Sequence, residues 1–88
     1  MENLVVWKML RKYPKSVREI FFLIEKFDGL MKITELNNLT HYSDRSVRRA
    51  LEKLFELELV VKVPDFNDLR SHYLISQSKL LTIEATEN

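Results

Sequence analysis

Val17, Ile20, Phe21, Leu23, Ile24 and Phe27 recur at helical spacing, so one face of residues 16–28 is apolar. Ser16-Val-Arg-Glu19 opens this segment with the spacing of a capping box. Asp28-Gly29 closes it, and the chain's only glycine suits a left-handed helix stop. Residues 3–12 predict an earlier helix with Leu4, Trp7 and either Met9 or Leu10 on one face; Tyr13-Pro14 breaks it. Residues 30–33 are short and extended. Thr34 is placed to cap a short helix over 35–39 that turns Leu36 and Leu39 inward, and residues 40–42 form a turn. Ser43 caps a longer helix to Leu57. Its inward stripe is Val47, Ala50, Leu51 and Leu54, with Leu57 at the edge.

The pattern then changes period. Residues 59–63 form a β-rich run ended by Pro64, 65–68 are turn-forming, and 69–76 alternate as a returning strand. Residues 77–88 carry Leu80, Leu81 and Ile83 before a polar end, which fits either a weak helix or a frayed tail. The expected fold is mainly α with a small β-hairpin, an α+β domain. With 88 residues there is material for one core. We divide it into an N-terminal helix (1–13), a central domain (14–76) and a C-terminal extension (77–88).

Composition narrows the chemistry. No cysteine is present, which removes disulfides, zinc–thiolate sites and thiol nucleophiles. His41 and His72 are the only histidines and lie far apart, so we expect no metal site. One glycine cannot build a glycine-rich phosphate loop, and no nucleophilic triad stands out, so neither a cofactor nor enzymatic activity is expected. The apolar run Leu4–Trp7 is too short to span a bilayer. Glu2 stands where a secretory signal would be basic, and no small-residue cleavage site follows, so a cytoplasmic protein is expected.

The net charge of +1 says little as an average, but its placement is informative. In the helix starting at Ser43, Arg45, Arg48 and Arg49 come first and Glu52 and Glu56 follow. A helix dipole favours the reverse order. The pairs Arg45/Arg49 and Arg49/Lys53 are four residues apart, and each costs an isolated helix roughly 0.2–0.5 kcal/mol. Asp44–Arg48 and Arg48–Glu52 are spaced to offset part of this. The basic face therefore opposes the helix's own preference.

The order of elements resembles the winged helix-turn-helix transcription regulators, especially the MarR-like group and related small archaeal or viral regulators. The resemblance spans roughly Ser16 to Ser76. "ITELNNLTHYSDRSVRRALEKLFELELV" is similar to the family's helix-turn-helix, and "VPDFNDLRSHYLIS" to its wing. It implies that the helix 43–57 enters the major groove of double-stranded DNA, with Ser43, Arg45, Ser46, Arg48 and Arg49 facing bases or phosphates and Lys53 a phosphate. Arg70 would reach the backbone or minor groove from the wing, 64–70. It also implies a homodimer through terminal helices, with Leu4, Trp7, Leu10, Leu80 and Leu81 at the interface and two half-sites about 10 bp apart. No effector is implied.

The chain departs from the family's pattern in four places. His41 and Glu58 stand where glycine is common and a positive φ is expected, Asn37 where alanine is common, and Leu69 where a second arginine is common.

Two features support a rival reading as a protein-interaction module in a transcription or replication assembly. Asp65 and Asp68 make the wing acidic. Trp7 and Phe66 are apolar at places that either pack on the domain itself or meet a partner. A small-ligand sensor is a third reading; the short chain leaves little room for a separate pocket outside a dimer interface.

Overall fold

The computed structural model describes the backbone of residues 2–68 and 70–81 and the side chains of 5–68 and 70–81. Helix α1 spans Glu2–Leu10 and α2 Lys15–Lys26. Strand β1 (Leu30–Lys32) leads into α3 (Ile33–Leu39) and α4 (Asp44–Glu56), then β2 (Val60–Pro64) and β3 (His72–Ser76). A fifth helical segment, α5, is described over 77–81. The protein is an α+β domain with a small antiparallel sheet of three strands.

The sheet order is β1-β3-β2, so β1 joins the expected hairpin as a third strand. Met31 lies opposite Leu74, and Val61 opposite Ile75. Pro64 ends the edge strand β2, where a missing N–H costs nothing to the sheet. The core is built from Val17, Ile20, Phe21 and Ile24 of α2, Leu36 of α3, Val47, Ala50, Leu51 and Leu54 of α4, and Met31, Leu59, Val60 and Leu74 around the sheet. The stripe expected on α4 is buried, with Leu57 at its edge half-buried; of the α2 stripe Val17, Ile20, Phe21 and Ile24 are buried, Leu23 is half-buried, and Phe27, past the end of the helix, is exposed.

Several local expectations are corrected. The Ser16–Glu19 capping box does not form. Pro14 is the N-cap of α2 and leaves no side-chain cap bond. Glu19 instead accepts from the Tyr42 hydroxyl at 2.8 Å and pairs with Lys15 at 3.5 Å. Thr34 caps nothing, because α3 begins at Ile33, two residues before the expected start; Glu35 accepts from the Lys32 N–H at 2.9 Å and secures that start. Leu39 is exposed, since so short a helix turns only Leu36 fully inward. Leu10, expected at a dimer interface, is fully buried in the core. The pattern had offered Met9 or Leu10 for the inward place on α1, and packing against the domain takes Leu10.

The helix stops hold where the backbone requires them. Gly29 (φ 75°) follows Asp28 (φ 63°), and the Gly29 N–H bonds the Ile24 carbonyl at 2.9 Å. After α4, Glu58 takes φ 59°, a left-handed conformation at a position where the resembling family prefers glycine. Leu59 N–H then reaches the Leu54 carbonyl at 3.0 Å, closing the helix in the same way. His41 is not among the residues with positive φ, so the turn before α4 needs no glycine.

Candidate nucleic-acid interface

Ser43 caps α4 as its sequence position suggested. Its hydroxyl accepts the Ser46 N–H at 3.2 Å and donates to the Ser46 hydroxyl at 3.1 Å. This fixes the helix start and uses part of the bonding capacity of both serines.

Arg45, Arg48 and Arg49 are all exposed. Among the described residues, none of the three has a carboxylate within 4.0 Å. The pairs Asp44–Arg48 and Arg48–Glu52 suggested by spacing are therefore not made. The acid that is engaged on this helix is Glu56, 3.3 Å from Lys53, and both ends of that pair are exposed. Such a pair is worth about 1 kcal/mol or less and yields readily to a stronger anion.

Arg48 has a second role in the geometry. With Asp44, Glu52, Asn37 and Lys62 it rims an open groove of about 470 Å³ floored by Val47, Leu51, Phe55 and Ile33. The groove runs between α3, α4 and β2. The small domain thus holds a concavity of ligand size without a dimer interface, which the short chain had not suggested.

The β2–β3 loop is less acidic at its surface than its sequence implies. Asp65 is only 5% exposed. Its carboxylate accepts the Asn67 N–H at 2.9 Å and pairs with Lys32 Nζ at 3.2 Å. The Asn67 N–H, with Lys32 added, holds the Asp65 carboxyl below its ordinary pKa against its own desolvation. Hydrogen bonding to Asp65 likewise raises Lys32, whose ammonium lies 5.4 Å from the centre of the Tyr73 ring. The sequence counts Asp65 among the acidic residues of the wing, yet it is the anchor that ties the loop to the residue preceding α3. No local pattern marks Lys32 as its partner.

Asp68 remains outside and takes Arg70: its carboxylate accepts the Arg70 backbone N–H at 3.1 Å and lies 3.5 Å from Nε. Arg70's side chain is still 94% exposed, so the contact orients the guanidinium without covering it. Phe66 is 82% exposed and does not fold back on the hairpin. Leu69 lies outside the described residues.

On α1, Val5, Trp7 and Met9 are exposed, as is Leu81 of α5, while Leu80 is half-buried. Trp7 belongs to both readings offered for it. Its ring packs 5.5 Å from Phe22 and under Arg18 at 5.8 Å, yet 42% of the residue faces outward. The side chain of Leu4, and Ile83 with the rest of 82–88, lie outside the described residues.

Among the described residues no group of histidine, aspartate and glutamate could hold a metal ion, and no helix is long and apolar enough to cross a membrane. Comparison with known protein families, curated proteins and solved structures finds no match.

Proposed function

We propose that the protein is a cytoplasmic winged helix-turn-helix regulator that binds double-stranded DNA with α4 in the major groove. The observation carrying this reading is the set of three exposed, carboxylate-free arginines at the N-terminal half of α4. Arg45 stands in the first turn, where the helix dipole disfavours a cation, and Arg45 and Arg49 repel each other one turn apart, so an external anion is the compensating charge. A bidentate arginine–guanine contact adds roughly 1–3 kcal/mol of discrimination, more than the intrahelical repulsion removes. The element order, the β1-β3-β2 sheet and the β2–β3 loop as wing support the same assignment. In this reading Arg45, Arg48 and Arg49 face bases and phosphates, Lys53 exchanges Glu56 for a phosphate, and Arg70 reaches the backbone beside the loop. Two copies pair through the terminal helices, with the exposed part of Trp7 and Leu81 at the contact and Leu10 left in the core.

Arg49→Ala tests the reading. It removes an exposed side chain with no described ion pair, so the fold is kept while duplex affinity falls. Wild-type affinity in the variant, measured by fluorescence anisotropy on random-sequence duplex at low salt, removes α4 from the interface. Selection of bound fragments from a random duplex pool then tests two-fold symmetry and half-site spacing together.

One observation favours a second reading. Phe66 presents a bare aromatic ring at the loop tip, and an aromatic anchor of this kind suits a protein partner. In that case the domain is an interaction module, and Phe66→Ala abolishes partner binding while Arg49→Ala does not.

A further inference from the structure

We infer that the elbow between α1 and α2 is a second phosphate-binding surface, contacting the DNA backbone beside the segment read by α4. The inference rests on the DNA-binding reading above and extends it to residues outside the helix-turn-helix and the loop.

Lys8, Arg11, Lys12, Lys15 and Arg18 place five cations within residues 8–18, and no acidic residue falls among them. Setting them aside leaves nine of the chain's 14 basic residues against all 13 acidic ones. The near-neutral total therefore conceals a strongly basic elbow on an otherwise acidic molecule. Helix α2 has no acidic residue in its first turn and carries Lys15 and Arg18 there, at the positive end of its dipole, while Lys8 lies in the last turn of α1.

The elbow is held in place. Arg18 donates to the Tyr13 carbonyl at 3.0 Å and covers the Trp7 ring, and the Tyr13 N–H bonds the Leu10 carbonyl at 3.0 Å. Lys8, Arg11, Lys12 and Lys15 remain exposed. Among the described residues, the only carboxylate within 4.0 Å of any of these four is Glu19 on Lys15, and Glu19 also takes the Tyr42 hydroxyl.

That last bond locates the elbow relative to α4. Tyr42 directly precedes Ser43, the cap of α4, and its hydroxyl lies 2.8 Å from Glu19 in the second turn of α2. The N-terminal ends of α2 and α4 are thus pinned to each other. Within this inference, a polyanion longer than one groove contact spans the cations at both ends. An anionic membrane is the less suited occupant. Trp7, the residue best able to anchor a helix in a bilayer, is packed on Phe22 and capped by Arg18.

The test compares two double variants with equal loss of charge. Arg11→Gln/Lys12→Gln alters the elbow. Lys26→Gln/Lys79→Gln alters the last turn of α2 and the α5 lysine paired with Asp28 just beyond it, roughly 18 Å from the elbow along α2 and beyond the ~10 Å screening length of 0.1 M salt. Binding to a fluorescein-labelled random-sequence duplex is followed by anisotropy from about 50 to 200 mM salt, and thermal unfolding confirms that both variants fold. The elbow variant should bind about tenfold more weakly at the low-salt end, with a slope of log K against log salt smaller by about 1.8, or 0.9 per phosphate. The far-end variant should match wild type. If the two variants bind alike while Arg49→Ala is impaired, the elbow is not an interface and the reading of α4 stands. If wild-type protein does not bind duplex at low salt, the DNA reading itself falls. Binding of the wild type to phosphatidylserine vesicles in place of duplex overturns the inference in favour of a membrane surface.

Discussion

Gly29→Ala probes how tightly the two ends of the sheet are joined to α2. A Cβ built on Gly29 would lie 2.4 Å from the Ser76 hydroxyl oxygen and 2.7 Å from the Lys79 Cβ. The hydroxyl cannot simply rotate away. Ser76 is fully buried; its oxygen lies 3.3 Å from the Ser78 hydroxyl and accepts the Lys79 N–H at 3.3 Å. The other neighbour, Lys79 Cβ, is fixed by the backbone of α5. Two costs therefore combine. An alanine at φ 75° loses about 1–2 kcal/mol to its left-handed backbone, and overpacking of a filled site costs about 1–3 kcal/mol. The expected loss is about 2–5 kcal/mol, read as a lower urea midpoint with an unchanged denaturant slope. Ser76→Ala in the same chain removes the closer of the two clashes and should recover part of the loss, as a favourable coupling of roughly 0.5–3 kcal/mol in a double-mutant cycle. A single-variant loss below about 1 kcal/mol would refute the reasoning, since even the backbone term alone would then be missing.

Other expected outcomes are as follows. Leu10→Ala should lower stability by about 2–5 kcal/mol in urea unfolding, because this side chain fills the protomer's own core; a change in oligomeric state with unchanged monomer stability would return it to an interface. Glu58→Gly should raise stability by about 1 kcal/mol or less, because relief of about 1–2 kcal/mol of left-handed strain at φ 59° is partly offset by glycine's greater entropy in the unfolded chain, about 0.4–1 kcal/mol; destabilisation in the same assay would mean that the glutamate side chain is itself required. Stability should also fall on acidification. Glu19 and Asp65 both have folded pKa values below their ordinary 4.5 and 3.8, so the unfolded chain binds protons first. Their contribution is present above about pH 5 and is lost as pH falls through the folded values. Thermal unfolding between pH 7 and about 3 should show this decline, less steeply in Asp65→Asn; equal steepness would show that Asp65 is not one of the responsible groups.

The two longest helices could be read from residue order because their signals are local. The stripe Val47, Ala50, Leu51, Leu54 repeats with the helical period, and Ser43 lies next to the N–H it caps, so neighbouring residues carry the whole argument. The inverted charge order on α4 was legible for the same reason, and so, by counting, were the cations of the elbow. Capping at Ser16 and Thr34 was misread because a cap motif competes with its surroundings. Pro14 started α2 early, and Glu19 found Tyr42, a residue 23 positions away. The third strand was not foreseen either, since β1 is only three residues long and its partner follows some forty positions later.

By itself, then, the amino-acid order determined that the segments of α2 and α4 become helical, most of the stripe each turns inward and that arginines crowd the first half of α4, since each depends on residues within a turn or two. Only the tertiary structure decided that Leu10 is core, that Asp65 turns inward to Lys32, that Phe66 stands free, and that the starts of α2 and α4 lie side by side. These follow from contacts between distant residues, which form wherever the packed elements bring partners together, and no spacing along the chain encodes them.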